Sequence, residues 1–177
     1  MNIDSKTAAA LGFPKPHYTL VERERRWLCR EAPRSLVVQT EAITDLYVTD
    51  SRLRLREARP IDGGAPRLRF SRKADVDART RLITSIYLPE EEFAVLARSL
   101  PGVRLKKLRH RLREQAGITI AIDEFQGDLE GLLLAEAEFD TEERLAAFPM
   151  PDFALREVTD DPRYTGSHLV RYGRPRD

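Results

Sequence analysis

Charged and apolar residues alternate along several segments of the chain, as they do in β-strands whose two faces meet different surroundings. In the segment 52–57, for example, arginines at every second position are separated by leucines. The same period of two predicts strands at 18–29, 52–57, 67–73, 107–113 and 133–139. We therefore expect a mostly antiparallel sheet in which one face of each strand carries charge.

Two other segments have the spacing of short helices. Pro89 precedes three glutamates, which suit the positive end of a helix dipole, and apolar residues follow at helical spacing as far as Leu100. Thr141 can cap a second helix, which Pro149 would end. Turn signals between strands lie at 62–64 and 126–128. Short helices are thus expected outside a sheet.

Length and composition favour one soluble domain. A chain of 177 residues can bury a core as a single unit, and we expect a flexible tail over 1–17 before a domain over 18–177. No apolar run approaches the roughly 20 residues that cross a bilayer, and the first residues lack a secretory pattern. Cys29 is the only cysteine, which excludes an intrachain disulfide and favours the reducing cytoplasm.

The charges are balanced overall but segregated along the chain. Thirty basic and 29 acidic residues leave a net charge of +1, yet bases crowd 52–113 and acids dominate 123–161. One interpretation is two solvated faces of opposite sign. The other is a closed barrel with charges in its lumen, where buried charges need partners such as a metal–polyphosphate complex. Periodicity alone leaves both open.

Four motifs follow one another in the order found in one known family. The segments are 21–28 with Glu-x-Glu-x-Arg, 52–56 with paired arginines, 123–139 with a second Glu-x-Glu, and 157–164 near the end. From Thr19 to about Val170 the chain thereby resembles the CYTH family, the triphosphate tunnel metalloenzymes. The resemblance implies an α+β, mainly β fold: a closed antiparallel eight-stranded barrel, or tunnel, with a few short helices packed outside.

The resemblance also implies a function. Members of the family hydrolyse inorganic triphosphate, thiamine triphosphate or nucleoside triphosphates, or cyclise ATP, with Mg²⁺ or Mn²⁺. We expect metal-dependent hydrolysis of a small triphosphate; the alternatives are a class IV-type adenylyl cyclase and a catalytically weak module that binds nucleotide or polyphosphate. Nucleic acid is disfavoured, since the basic strands lack interleaved aromatic residues. No membrane partner is expected, and monomer and homodimer remain open.

Carried over to this chain, the family motifs identify candidate site residues. The expected metal ligands are Glu22, Glu24, Asp123, Glu136 and Glu138. The expected phosphate clamps are Arg54, Arg56, Lys73, Lys107, Arg109 and Arg163. Glu22, Glu24, Arg26 and Lys73 are the expected catalytic residues. No serine or cysteine lies in a motif that would supply an activating base, so we expect no nucleophilic side chain.

The chain departs from the family pattern at three places. Arg26 stands where the family has lysine, and Ala121 stands where an acid often occurs. In the middle strand, Arg81 and Ile83 occupy the positions of a further Glu-x-Glu. The loss of these acids favours the binding-module alternative, because they belong to the part of the tunnel associated with a second metal or the attacking water.

Overall fold

The computed structural model describes residues 3–176. Its strands are β1 (Leu20–Cys29), β2 (Val37–Val48), β3 (Leu53–Pro60), β4 (Arg67–Asp75), β5 (Thr80–Tyr87), β6 (Gly102–Leu112), β7 (Ile120–Phe125), β8 (Leu133–Phe139) and β9 (Ala154–Glu157). They hydrogen-bond in the order β5-β4-β3-β2-β6-β7-β8-β1-β9. Because β1 also pairs with β5, eight antiparallel strands close into a barrel, and β9 is added outside it. The predicted eight-stranded barrel is confirmed.

The helices are short. They are α1 (Ser5–Ala10), α2 (Glu90–Ser99), α3 (Glu142–Ala147) and α4 (Gly166–Tyr172). The two predicted helices are confirmed as α2, which begins after Pro89, and α3, where the Thr141 hydroxyl accepts a hydrogen bond from the N–H of Arg144 at 3.2 Å. Within 3–176, no helix combines the length and the apolar character needed to span a membrane.

The outer face of one side of the barrel carries the largest apolar core. Trp27, Ile122 and Ala135 are buried there against Leu145 of α3, as the alternation in β1 and β8 predicts. Arg25 lies on this outer face too, but its guanidinium forms two hydrogen bonds with Glu157, at 2.9 and 2.6 Å. This pair joins β9 to β1. The burial of the apolar side chains in the outer core shows that the apolar faces of these strands point outward, and their charged faces point into the lumen.

The N-terminal residues differ from the expected flexible tail. Residues 5–10 form α1, and Ala8 and Phe13 are buried against Leu82 and a neighbouring alanine of the barrel. Arg72 stacks over the Phe13 ring at 4.6 Å and donates a hydrogen bond to the Leu11 carbonyl at 2.9 Å. The segment docks through several apolar side chains whose spacing is too irregular to form a periodic pattern.

Cys29 provides a simple test of this packing. The thiol belongs to the outer core, is 6% exposed, and has its pKa raised to about 11 by burial. Since the thiolate is the reactive form, we expect the native protein at pH 8 to react with a thiol reagent at least about 100-fold more slowly than the urea-unfolded chain. Equal rates in the two states, followed spectrophotometrically, would contradict the burial of this residue.

Candidate active site

The barrel encloses a lumen of about 1280 Å³ whose wall is rich in charge. The predicted site residues that line it are Glu22, Glu24, Arg26, Arg54, Arg56, Lys73, Lys107, Arg109, Glu136 and Glu138. They come together because alternate residues of neighbouring strands share the inner face. In the β1–β8 pairing, Glu24 lies opposite Glu138, and Arg26 lies opposite Glu136.

The two acids of β1 are both held by bases. Lys73 donates to Glu22 at 2.5 Å, while Arg26 and Arg81 contact Glu24 at 2.9 and 3.0 Å. Burial and the nearby Arg54 lower the pKa of Lys73 to about 8, in spite of Glu22. Arg81, which replaces an expected acid, therefore brings a resident cation to Glu24.

The two acids of β8 differ in their surroundings. Glu136 accepts a hydrogen bond from Arg109 at 2.6 Å, and Arg109 and Lys107 outweigh burial to hold the pKa of Glu136 far below its usual range. Burial and the negative charge of Glu22 instead raise the pKa of Glu138. Glu138 is thus a carboxylate repelled by another acid.

This arrangement bears on whether a metal fits. Within residues 3–176, no group of three or more histidine, cysteine or acidic side chains is placed so that it could hold a metal ion. Glu22 and Glu24 are turned toward Lys73 and two arginines. The donor chemistry itself suits a hard divalent cation, since all the donors are carboxylate oxygens and a cation would offset the repulsion at Glu138. Glu22 and Glu24 would have to exchange partners to accept it.

The structure places two predicted site residues away from the lumen wall. Asp123 is 0% exposed, accepts two hydrogen bonds of 2.7 Å from Arg109, and also pairs with Lys107. Arg163 lies on the outer surface, where it contacts Asp161 at 2.7 Å. Asp123 therefore lies behind the bases of β6, and Arg163 is not brought together with the others.

Sequence reasoning missed a second buried acid of the same kind. Asp45 is 0% exposed, and Arg56 donates to its two oxygens at 2.6 and 2.7 Å, with Arg54 at 3.6 Å. Asp45 faces Arg56 directly in the β2–β3 register. The signal that could have found it is this cross-strand pairing of opposite charges. Asp45 and Asp123 each hold two basic side chains in place, and these basic side chains line the lumen.

Several guanidinium nitrogens of the arginines in the lumen wall have no hydrogen-bond partner within residues 3–176. The Nη1 atom of Arg26 and the Nε and Nη2 atoms of Arg54 are buried without a hydrogen-bond partner among the described residues. Buried polar groups are almost always hydrogen-bonded in folded proteins. Arg54 Nε lies 3.6 Å from Asp45, beyond hydrogen-bond distance. Guanidinium groups with unused donors in the wall of a lumen suit an anion with several oxygen acceptors.

Known proteins match the chain in sequence. The chain is 46% identical over 67 residues to a protein named inorganic triphosphatase from Acetivibrio thermocellus, a match that covers 38% of the chain and 41% of that relative. It is 33% identical over 85 residues to an inorganic triphosphatase from Nitrosomonas europaea, covering 48% of the chain and 56% of that relative. The matches thus span only about half the length of either relative. No model of a protein family matches the chain.

Solved structures share the fold. The structure described as the inorganic triphosphatase NE1496 superposes with a TM-score of 0.56 at 24% identity, over 84% of this chain and 93% of that one. The protein PH1819 from Pyrococcus horikoshii gives a TM-score of 0.55 at 22% identity, over 71% and 82% of the two chains. The chain is thus similar to proteins named inorganic triphosphatase over part of its length and shares the barrel fold of the solved structures, as its resemblance to the CYTH family, the triphosphate tunnel metalloenzymes, implies.

Proposed function

We propose that the protein hydrolyses a triphosphate, either inorganic triphosphate or a small organic triphosphate, inside the lumen in a metal-dependent reaction. The observation that carries the proposal is the convergence of basic side chains from β3, β4 and β6 on one lumen. The basic side chains that line this lumen outnumber its acids, so a compact polyanion is the ligand that best offsets their charge. The relatives named inorganic triphosphatase support the same substrate class.

The basic side chains of the lumen would position the substrate and stabilise the charge of the transition state. Phosphoryl transfer passes through a loose transition state with charge spread over the phosphoryl oxygens, so catalysis rests on positioning and charge stabilisation. Arg54, Arg56 and Lys73 would clamp the chain of phosphates from β3 and β4, and Lys107 and Arg109 would do so from β6. A water molecule would attack in line with the departing phosphate.

The proposed reaction assigns no covalent role to a side chain. Ser71, the most enclosed serine near the lumen, hydrogen-bonds to Ser85 at 2.9 Å rather than to a base that could activate it. The carboxylates that would hold Mg²⁺ or Mn²⁺ are Glu22, Glu24, Glu136 and Glu138. When bound, such an ion supplies Lewis-acid stabilisation of the phosphoryl oxygens. Asp123 is left out of this set because its two oxygens already accept from Arg109 and Lys107.

A second candidate function is binding of a triphosphate or nucleotide without turnover. It is favoured by the contacts of Glu24, which is already neutralised by Arg26 and Arg81. If that pairing persists when the ligand binds, the lumen offers an anion site with fewer acids to receive a metal. The two candidates share the ligand and differ in whether phosphate is released.

The test is phosphate release from inorganic triphosphate, ATP and thiamine triphosphate with Mg²⁺ or Mn²⁺, and with the metal removed by a chelator. We expect turnover that needs the metal. We also expect Arg54→Met to weaken triphosphate binding by about 10- to 100-fold, the effect of losing charged hydrogen bonds. Arg98→Met, an exposed change of the same type in α2, serves as the control.

Each alternative predicts a distinct result in the same assay. Formation of cyclic AMP and pyrophosphate from ATP would show that the protein catalyses cyclisation of ATP and not hydrolysis. An absence of turnover, with triphosphate still raising the melting temperature, would support the binding module. Neither turnover nor stabilisation by triphosphate would contradict both candidates.

A further inference from the structure

A second group of arginines lies at the mouth of the lumen beside the β3–β4 turn. Arg67 and Arg69 are on the inner face of β4, Arg111 is near the end of β6, and Tyr87 ends β5. The phosphate clamp proposed above uses none of these residues. They form a basic surface between the clamp and the solvent.

Two of these arginines are anchored by one buried acid. Glu41, on the inner face of β2, is 0% exposed and accepts a hydrogen bond from Arg67 at 2.7 Å. Its other oxygen accepts from Arg111 at 3.4 Å. A single carboxylate thus holds two guanidinium groups, which leaves one positive charge uncompensated and leaves their remaining N–H groups available. The side chains of Arg67 and Arg111 remain 50% and 36% exposed, so the site is open to solvent.

Arg69 has no such anchor. Among the described residues it forms no hydrogen bond or ion pair, and it lies directly across from Arg56 in the β3–β4 register. Two like charges in facing positions of a sheet repel each other. Burial and the positive charges of Arg56 and Arg54 accordingly lower the pKa of Arg69. An anion at this point would turn the repulsion into attraction.

We propose that Arg69, Arg67 and Arg111 form a second oxyanion site, separate from the triphosphate clamp, and that it binds orthophosphate. The guanidinium groups of β4 and β6, two of which meet at Glu41 of β2, can share the oxygens of one tetrahedral anion. The choice of orthophosphate rests on the proposed function, since hydrolysis of a triphosphate releases this ion. Glu41 is the positioning residue of the site, because it holds two of the three arginines.

The site has a consequence for catalysis. Orthophosphate that leaves through this mouth would bind to the three arginines before it reaches the solvent. Product inhibition by orthophosphate would then depend on Arg69, while the affinity for triphosphate would depend on the clamp. The two sets of arginines can therefore be separated by substitution.

The experiment is calorimetric titration of sodium orthophosphate into the full-length protein, without metal or triphosphate. We expect Arg69→Met to weaken orthophosphate binding at least about tenfold, as the loss of a charge-assisted hydrogen bond does. Arg52→Met, which removes the same charge at the opposite mouth, should change it less than about twofold. Because Arg69→Met removes a repelled charge, the variant should fold and melt no lower than the natural protein.

A second readout separates this site from the clamp. In a triphosphatase assay, Arg69→Met should raise the inhibition constant of orthophosphate about tenfold and leave the KM for triphosphate within about threefold. Equal orthophosphate affinities in Arg69→Met and the natural protein would overturn the proposal. So would a parallel loss of triphosphate affinity, which would make Arg69 part of the clamp. The titration needs no turnover, so a protein that binds orthophosphate but hydrolyses nothing would contradict the proposed function alone.

Discussion

Asp45→Asn is expected to lower the free energy of unfolding by about 3 to 5 kcal/mol, the usual cost of removing one partner from a buried ion pair. Asp45 is 0% exposed and lies between Arg56 and Arg54. Asparagine keeps the shape of the side chain but removes the charge, so two buried guanidinium groups lose their compensation. Urea unfolding followed by circular dichroism measures the change, with Asp152→Asn at an exposed position as the control.

Two further measurements test the cause. Burial alone would raise the pKa of Asp45, but Arg56 and Arg54 outweigh it and hold the pKa well below its usual range. The stability that Asp45 contributes is therefore fully present above about pH 4 and is lost as the pH falls below it. Asp45→Asn should lose this part of the acid dependence. Added sulfate should stabilise the variant more than the natural protein, because an anion in the lumen replaces part of the missing charge.

A loss below about 1 kcal/mol in Asp45→Asn would contradict this account. It would mean that Arg54 and Arg56 do not depend on Asp45 for the compensation of their charge. In that case the two arginines would be held in the lumen by neighbours other than Asp45, and the affinity for triphosphate would be unchanged in the variant.

The fold was predictable where one face of a strand is charged and the other apolar. That condition holds for β1, β3, β4, β6 and β8, whose alternation predicted them. It fails in β7, where residues 120–123 are buried in succession: Ile122 packs in the outer core, and Asp123 is enclosed by an ion pair on the other side. A strand buried on both faces has no period of two to detect.

The candidate site was predictable in its residue types and less so in its pairings. The motifs pointed to Glu24 and Arg54, and both line the lumen. The acids that anchor the bases, Glu41 and Asp45, were missed because their partners come from other strands and only the register brings them together. Asp123 shows how residue type alone leaves the partner of an acid undetermined. An acid in a metal-binding motif suggested a ligand, whereas its cross-strand neighbour Arg109 engages both its oxygens.

Glu24→Gln is expected to lower kcat for triphosphate at least about 100-fold, with little loss of triphosphate affinity. Loss of a group that holds or orients a catalytic metal costs about 10- to 100-fold or more. Glu24 is nearly fully buried and contacts both Arg26 and Arg81, so the variant also releases two guanidinium groups to the lumen. These groups can pair with phosphate oxygens instead, which is why binding should persist while turnover fails. Steady-state kinetics at saturating Mn²⁺ and calorimetric titration of triphosphate measure the two effects.

The control for this variant is Glu91→Gln, an exposed change of the same type in the first turn of α2. A kcat within about threefold of the natural value would contradict a catalytic role for Glu24. Glu24 would then serve only as the counter-ion of Arg26 and Arg81, and the metal would depend on Glu22, Glu136 and Glu138. A parallel loss of kcat and triphosphate affinity would instead mean that the Glu24 carboxylate orients Arg26 and Arg81 toward the substrate, as Asp45 orients Arg54 and Arg56.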